Sequence, residues 1–144
     1  MGDFNLKKAK ILDLESVLDT MKVIYRNQVK ATGSSVDEFK GSGMFIIFGD
    51  NAPEELRDYC YSVNINPING ELKAGQFLII DDQAYEITCV GPEAPVTLAG
   101  LGHMTVSFTG LTEPEMMGTL YVKLAPGQTE PDMGIGTMFL VVEP

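Results

Sequence analysis

The chain has 144 residues, with 20 acidic against 10 basic side chains, one histidine, two cysteines and a formal net charge of −10. That length suits one domain, which buries roughly 70% of its unfolded surface without a disulfide or metal, and acids spread along the whole chain argue against nucleic acid as a partner. No apolar run approaches the ~20 residues of a membrane span, Asp13 and Glu15 interrupt any leader that Lys7, Lys8 and Lys10 would begin, and Cys60 and Cys89 lack zinc-site spacing, so they read as reduced, buried thiols of a cytoplasmic protein.

Residues 1–20 differ from the rest. Phe4, Ile11, Leu14, Val17 and Leu18 recur at helical spacing with almost no glycine or proline, and this segment is read as an N-terminal extension, a leader or appended helix, ahead of a body spanning 21–144. Val23, Tyr25, Val29 and Ala31 then alternate with Arg26, Gln28 and Lys30, a strand with one wet face. Ser35 and Glu38 have capping-box spacing and predict a short helical turn. Met44–Phe48 is a continuous apolar run of central-strand length.

Asn51, Pro53, Glu54 and Glu55 predict a helix start, with Asn51 as a cap worth about 1 kcal/mol and Leu56, Tyr59 and Cys60 as the apolar face. Tyr61, Val63 and Ile65 alternate with Ser62, Asn64 and Asn66 in a further strand, and Asn69-Gly70 is a turn. Phe77–Ile80 and Tyr85–Val90 are strands joined at Asp81-Asp82-Gln83; Gly91-Pro92 and Pro95 lead into a brief turn at Val96–Ala99. From His103 the chain alternates again, with Met104, Val106 and Phe108 on one face and His103, Thr105 and Ser107 on the other. Thr112–Glu115 is an acidic turn, Thr119–Leu124 a strand, Ala125–Gly134 a Pro/Gly-rich loop, and Met138–Val142 the last strand. About eight short strands with one short helix make an all-β domain, a sandwich or a barrel; a small, partly open β-barrel is favoured, because closure protects strand edges.

Enzyme signatures are sparse. One histidine cannot build a metal cluster, no phosphate-binding loop is present, and Gly134-Ile135-Gly136 lacks the strand-turn-helix setting of a dinucleotide site. The carboxylate pairs Glu54-Glu55 and Asp81-Asp82 are accounted for by a helix start and a hairpin turn. His103 remains. A neutral imidazole takes up and passes on a phosphoryl group, and Gly102, Thr105, Ser107 and the backbone N–H groups of Gly102 and His103 are the nearest donors for it; otherwise the residue is a half-buried histidine at a strand entrance.

Phe48-Gly49-Asp50-Asn51-Ala52-Pro53-Glu54-Glu55-Leu56-Arg57-Asp58-Tyr59-Cys60, then Gly70-Glu71-Leu72, Val90-Gly91, Leu101-Gly102-His103-Met104-Thr105-Val106, Phe108 and Gly110-Leu111, together resemble the glucitol/sorbitol-specific enzyme IIA component of the bacterial phosphotransferase system. The similarity runs from about Val23 to the end. It implies a cytoplasmic, barrel-like phosphocarrier without a cofactor, which accepts phosphate from the histidine phosphocarrier protein, gives it to a sugar-specific IIB component and meets the membrane only through IIB and IIC. In enteric members the phosphorylated histidine follows the Tyr-Cys pair. Here the interval Tyr61–Asn69 is longer and has no histidine, and alignment puts Val63 at that position. Either His103, which matches another histidine of the family, carries the phosphate, or the domain is a binding or regulatory module without phosphotransfer.

Overall fold

The computed structural model describes Ser16 and residues 19–144; the helical reading of Phe4, Ile11, Leu14, Val17 and Leu18 lies outside the described residues. Nine strands form one sheet: β1 (Lys22–Gln28), β2 (Ala31–Thr32), β3 (Met44–Phe48), β4 (Tyr61–Ser62), β5 (Phe77–Ile80), β6 (Gln83–Val90), β7 (Met104–Ser107), β8 (Thr119–Lys123) and β9 (Met138–Glu143). Their order is β1-β9-β5-β6-β8-β7-β3-β4-β2, antiparallel except for β3 with β4 and β7 with β8. The sheet curls into a partly open barrel, as the strand count and turn punctuation predict. The ninth strand arises because the stretch 23–31 is not one strand.

That division sets the two ends of the sheet. β1 pairs with β9 at one end of the sheet and β2 with β4 at the other, although only residues 29 and 30 separate them. Val29 N–H donates to Thr137 O, whereas Lys30 N–H donates to Ser62 O. Successive residues thus hydrogen-bond to opposite ends of the sheet, and one stretch of chain supplies both edges. The free side of β1 is covered by the irregular run after β4, where Asn69 N–H donates to Ile24 O and Asn66 Nδ2 to Arg26 O. Edge groups that would otherwise template another chain are therefore paired.

Inside lies the main core, with Tyr25, Phe45, Ile47, Val63, Leu78, Tyr85, Ile87, Leu120 and Val141 among its buried members. The alternation along β7 is as expected: Met104, Val106 and Phe108 are buried in this core. At the hairpin, β5 and β6 pair Ile80 with Gln83, so only Asp81 and Asp82 turn the chain, and Asp81 takes a positive φ of 51°.

The helices differ from expectation. The main one is α2 (Ala94–Leu101), where only a brief turn is predicted, while α1 (Glu54–Arg57) is a single turn. Ala94 and Leu98 of α2 are fully buried in the main core, so its helical state is paid for by tertiary burial rather than by local signals. Asn51 does not cap α1: Pro53 holds that position and makes no side-chain bond, since it has none to make. Leu56 and Tyr59 are exposed, and only Cys60 of the expected apolar face is buried, with Phe48 and Ala52. The capping box at Ser35 is not formed either; residues Val36–Phe39 make a 3-10 turn without a side-chain cap. Beyond Ser62 the expected strand is irregular backbone. Among the described residues, no helix is long and apolar enough to cross a membrane.

Candidate functional site

His103 stands at the corner where α2 becomes β7. Gly102, just before it, adopts φ +67° and closes the helix in the left-handed conformation that glycine tolerates. A side chain would not fit there: a Cβ on Gly102 would lie 3.0 Å from Gly49 N and 3.3 Å from Asn64 O. Gly49 is equally confined, since a Cβ on it would meet Leu101 O at 2.6 Å, and its N–H donates to that same carbonyl. The end of β3, the end of α2 and the run after β4 thus meet at backbone distance beside the imidazole.

Thr97, one turn back on α2, grips the backbone of His103 at both polar groups. Its carbonyl accepts from His103 N–H at 3.2 Å, and its hydroxyl donates to His103 O at 2.7 Å. The ring is held by Phe48: the two rings stack at a centroid distance of 4.1 Å and an interplanar angle of 14°. The register of β3 against β7, Ile47 opposite Met104, makes Phe48 and His103 the next pair in line. Neither ring nitrogen hydrogen-bonds to any described residue. Half-burial against the phenyl ring lowers the imidazole pKa below the ordinary 6.5, because the charged form is poorly solvated there, so the ring is neutral at pH 7.

The expected donors are only partly brought together. The N–H groups of Gly102 and His103 are not free for a phosphoryl group, since they bond Leu98 O and Thr97 O in closing the helix. Thr105 lies two residues along the same strand face and is part-exposed, opposite Ile46 and Thr119. Ser107 is four residues along, about 13 Å away in an extended strand, and its hydroxyl is engaged with Thr109 Oγ1 at 3.0 Å. Val63 is fully buried in the main core, and its N–H donates to Phe48 O, so its side chain turns inward while the imidazole packs on the other side of β3. Thr97 and Phe48 are the positioning residues that sequence reasoning misses. Phe48 is visible only through strand register, and Thr97 only once α2 is known to be a helix.

The family described as the PTS system glucitol/sorbitol-specific IIA component matches residues 24–139. The glucitol/sorbitol-specific EIIA components of Shigella flexneri and Escherichia coli (strain K12) are each 34% identical to this chain over 113 residues, covering 74% of it and 92% of the relative. The crystal structure of the PTS system IIA component from Enterococcus faecalis V583 superposes with a TM-score of 0.63 at 24% identity, over 79% of this chain and 96% of that one, which is a likeness of fold.

Proposed function

Because this chain belongs to the glucitol/sorbitol-specific IIA family of the phosphotransferase system, we propose that it carries a phosphoryl group on His103, between the histidine phosphocarrier protein and a sugar-specific IIB component. The observation that carries this reading is the state of the ring: stacked on Phe48, half-buried, neutral, and with both nitrogens unengaged by the protein. A neutral nitrogen attacks the phosphorus of the donor's phosphohistidine; the new P–N bond forms as the donor's breaks, the phosphorylated His103 ring gives up its N–H proton to water, and the released imidazole takes one up. Transfer onward to IIB is the same displacement with His103 as leaving group. Stacking and the Thr97 clamp fix the ring before the partner arrives, which is the positioning such transfer depends on. Thr105 is the nearest hydroxyl able to bond the phosphoryl oxygens, and Gly102 serves by shaping the corner rather than by donating. Ile65 and Leu101, exposed apolar side chains beside the Gly49–Gly102 contact, suit the docking of a protein partner. In this role the domain works on the cytoplasmic side, in uptake of glucitol or a related polyol, and reaches the membrane only through IIB and IIC.

A second reading, a binding or regulatory module without phosphotransfer, is favoured by the buried Val63 at the family's nucleophile position. Incubation with radiolabelled phosphoenolpyruvate, enzyme I and the histidine phosphocarrier protein separates the two. Acid-labile label on the wild type and none on His103→Ala supports the carrier; an unlabelled wild type, or a variant labelled as well as the wild type, supports the module.

A further inference from the structure

We propose that the cleft between the Val36–Phe39 turn and the loop 129–133 binds a small organic cation, an ammonium group on an aromatic or short aliphatic body. The cleft is a cavity of about 350 Å³, within the range of small-molecule sites and at the kind of place, a barrel mouth, where they occur. Its walls are aromatic. Phe39 and Tyr59 pack edge to face at 5.7 Å, and Phe45 sits between Tyr61 at 6.1 Å and Phe108 at 5.9 Å. Tyr61 is 5% exposed and lines the cavity, yet its hydroxyl makes no hydrogen bond to a described residue. The oxygen itself is not sealed from solvent, so it is open to a hydrogen bond from a ligand in the cleft.

Charge chooses the ligand. Lys40 stands at the rim with Asp37 at 3.3 Å and Asp132 at 3.4 Å, so one ammonium faces two carboxylates. Glu130 also lines the cleft, half-buried, and forms no ion pair with a described residue. Three carboxylates against one ammonium repel an anion such as a sugar phosphate, and aromatic faces attract a cation through their quadrupoles. Phe45 and Phe48 belong to different apolar clusters, so the aromatic wall of this cleft and His103 lie on different faces of β3, although Ile46, which packs with Phe48, also borders the cleft.

Three probes of one shape test it on the full chain: 2-phenylethylammonium, the neutral 2-phenylethanol and the anionic 3-phenylpropanoate, each titrated while backbone amide NMR shifts are followed. The cation is expected to move the amides of 36–45, 59–61 and 129–133 without moving that of His103, and to bind about tenfold tighter than the alcohol, with the acid leaving the cleft unmoved. Glu130→Gln should bring the cation to the alcohol's affinity, and Phe39→Ala, at a part-exposed wall, should weaken both by about fivefold or more. Silence of the cleft amides with the cation, an alcohol or acid that binds as well, or a Glu130→Gln variant that keeps the preference overturns the proposal. Neither result bears on labelling at His103.

Discussion

The side-chain amide of Asn27 bonds both polar groups of the Asn64 backbone, Nδ2 donating to Asn64 O at 2.7 Å and Oδ1 accepting from Asn64 N–H at 3.2 Å. It does for β1 and the run after β4 what a ladder pair does for two strands. Oδ1 also accepts from Gln28 N–H at 2.8 Å and Nδ2 donates to Tyr25 Oη at 2.6 Å, so a 4% exposed amide is fully used. Asn27→Leu keeps the volume but strands these groups at the barrel seam. It is expected to cost about 3 kcal/mol, since each buried unsatisfied group costs about 1–3 kcal/mol, read as a lower urea midpoint at unchanged slope.

His103 is the chain's one histidine, so its ring resonances need no assignment by mutagenesis. Burial holds its pKa below 6.5 in the folded protein. The unfolded chain therefore takes up the proton first as pH falls. The stability this ring permits is complete above the unfolded value of 6.5 and is lost as pH drops from there through the lower folded value. An NMR titration should give a midpoint below 6.5, and Phe48→Leu should move it back toward 6.5, because the stacked phenyl ring covers one side of the imidazole. The difference in urea stability between wild type and His103→Gln should grow more favourable to the variant as pH falls through that window. A wild-type midpoint above 6.5 would instead mean a carboxylate neighbour.

How much of this was readable from the residues depends on what holds each element. Met104, Val106 and Phe108 face the core because β7 is a surface with a buried side, and period-two alternation records that directly. The segment Ala94–Leu101 reads Ala-Pro-Val-Thr-Leu-Ala-Gly-Leu, with no charge to mark a wet face and with both proline and glycine; its helix is fixed by Ala94 and Leu98 entering the core, which no local pattern carries. Residues 51–57 hold all the local start signals yet make one turn, because no apolar face is buried behind them. By parity Asn27 falls on the apolar face with Tyr25 and Val29, but its partner is 37 residues away. The family pattern locates the His103 corner, whereas the stack on Phe48 and the clamp from Thr97 are tertiary facts.

Gly102→Ala tests whether the corner holds the ring. The backbone there has φ +67°, and the added methyl would press on Gly49 N at 3.0 Å, backbone that yields only if β3 and α2 part. Left-handed strain alone costs about 1–2 kcal/mol, and with the close contact the expected loss is about 2–3 kcal/mol, seen as a lower thermal midpoint. If the imidazole carries phosphate, the rate of labelling from the phosphocarrier protein should fall as well, at a temperature where the variant is still folded.

Val63→His places a histidine where the resemblance to the family puts the phosphorylated residue. Val63 is 0% exposed and packs in the main core, so the new imidazole enters apolar surroundings with more volume than it replaces. Overpacking and an unsatisfied ring together are expected to cost about 3 kcal/mol. The exposed neighbour on that run is Asn64, whose carbonyl is already bonded to Asn27, so turning the segment outward to present residue 63 means breaking the seam. Combined with His103→Ala, the substitution should therefore take no label from the phosphocarrier protein. Label on the double variant would show instead that the run after β4 can open, and that a histidine at position 63 is reached by the phosphocarrier protein.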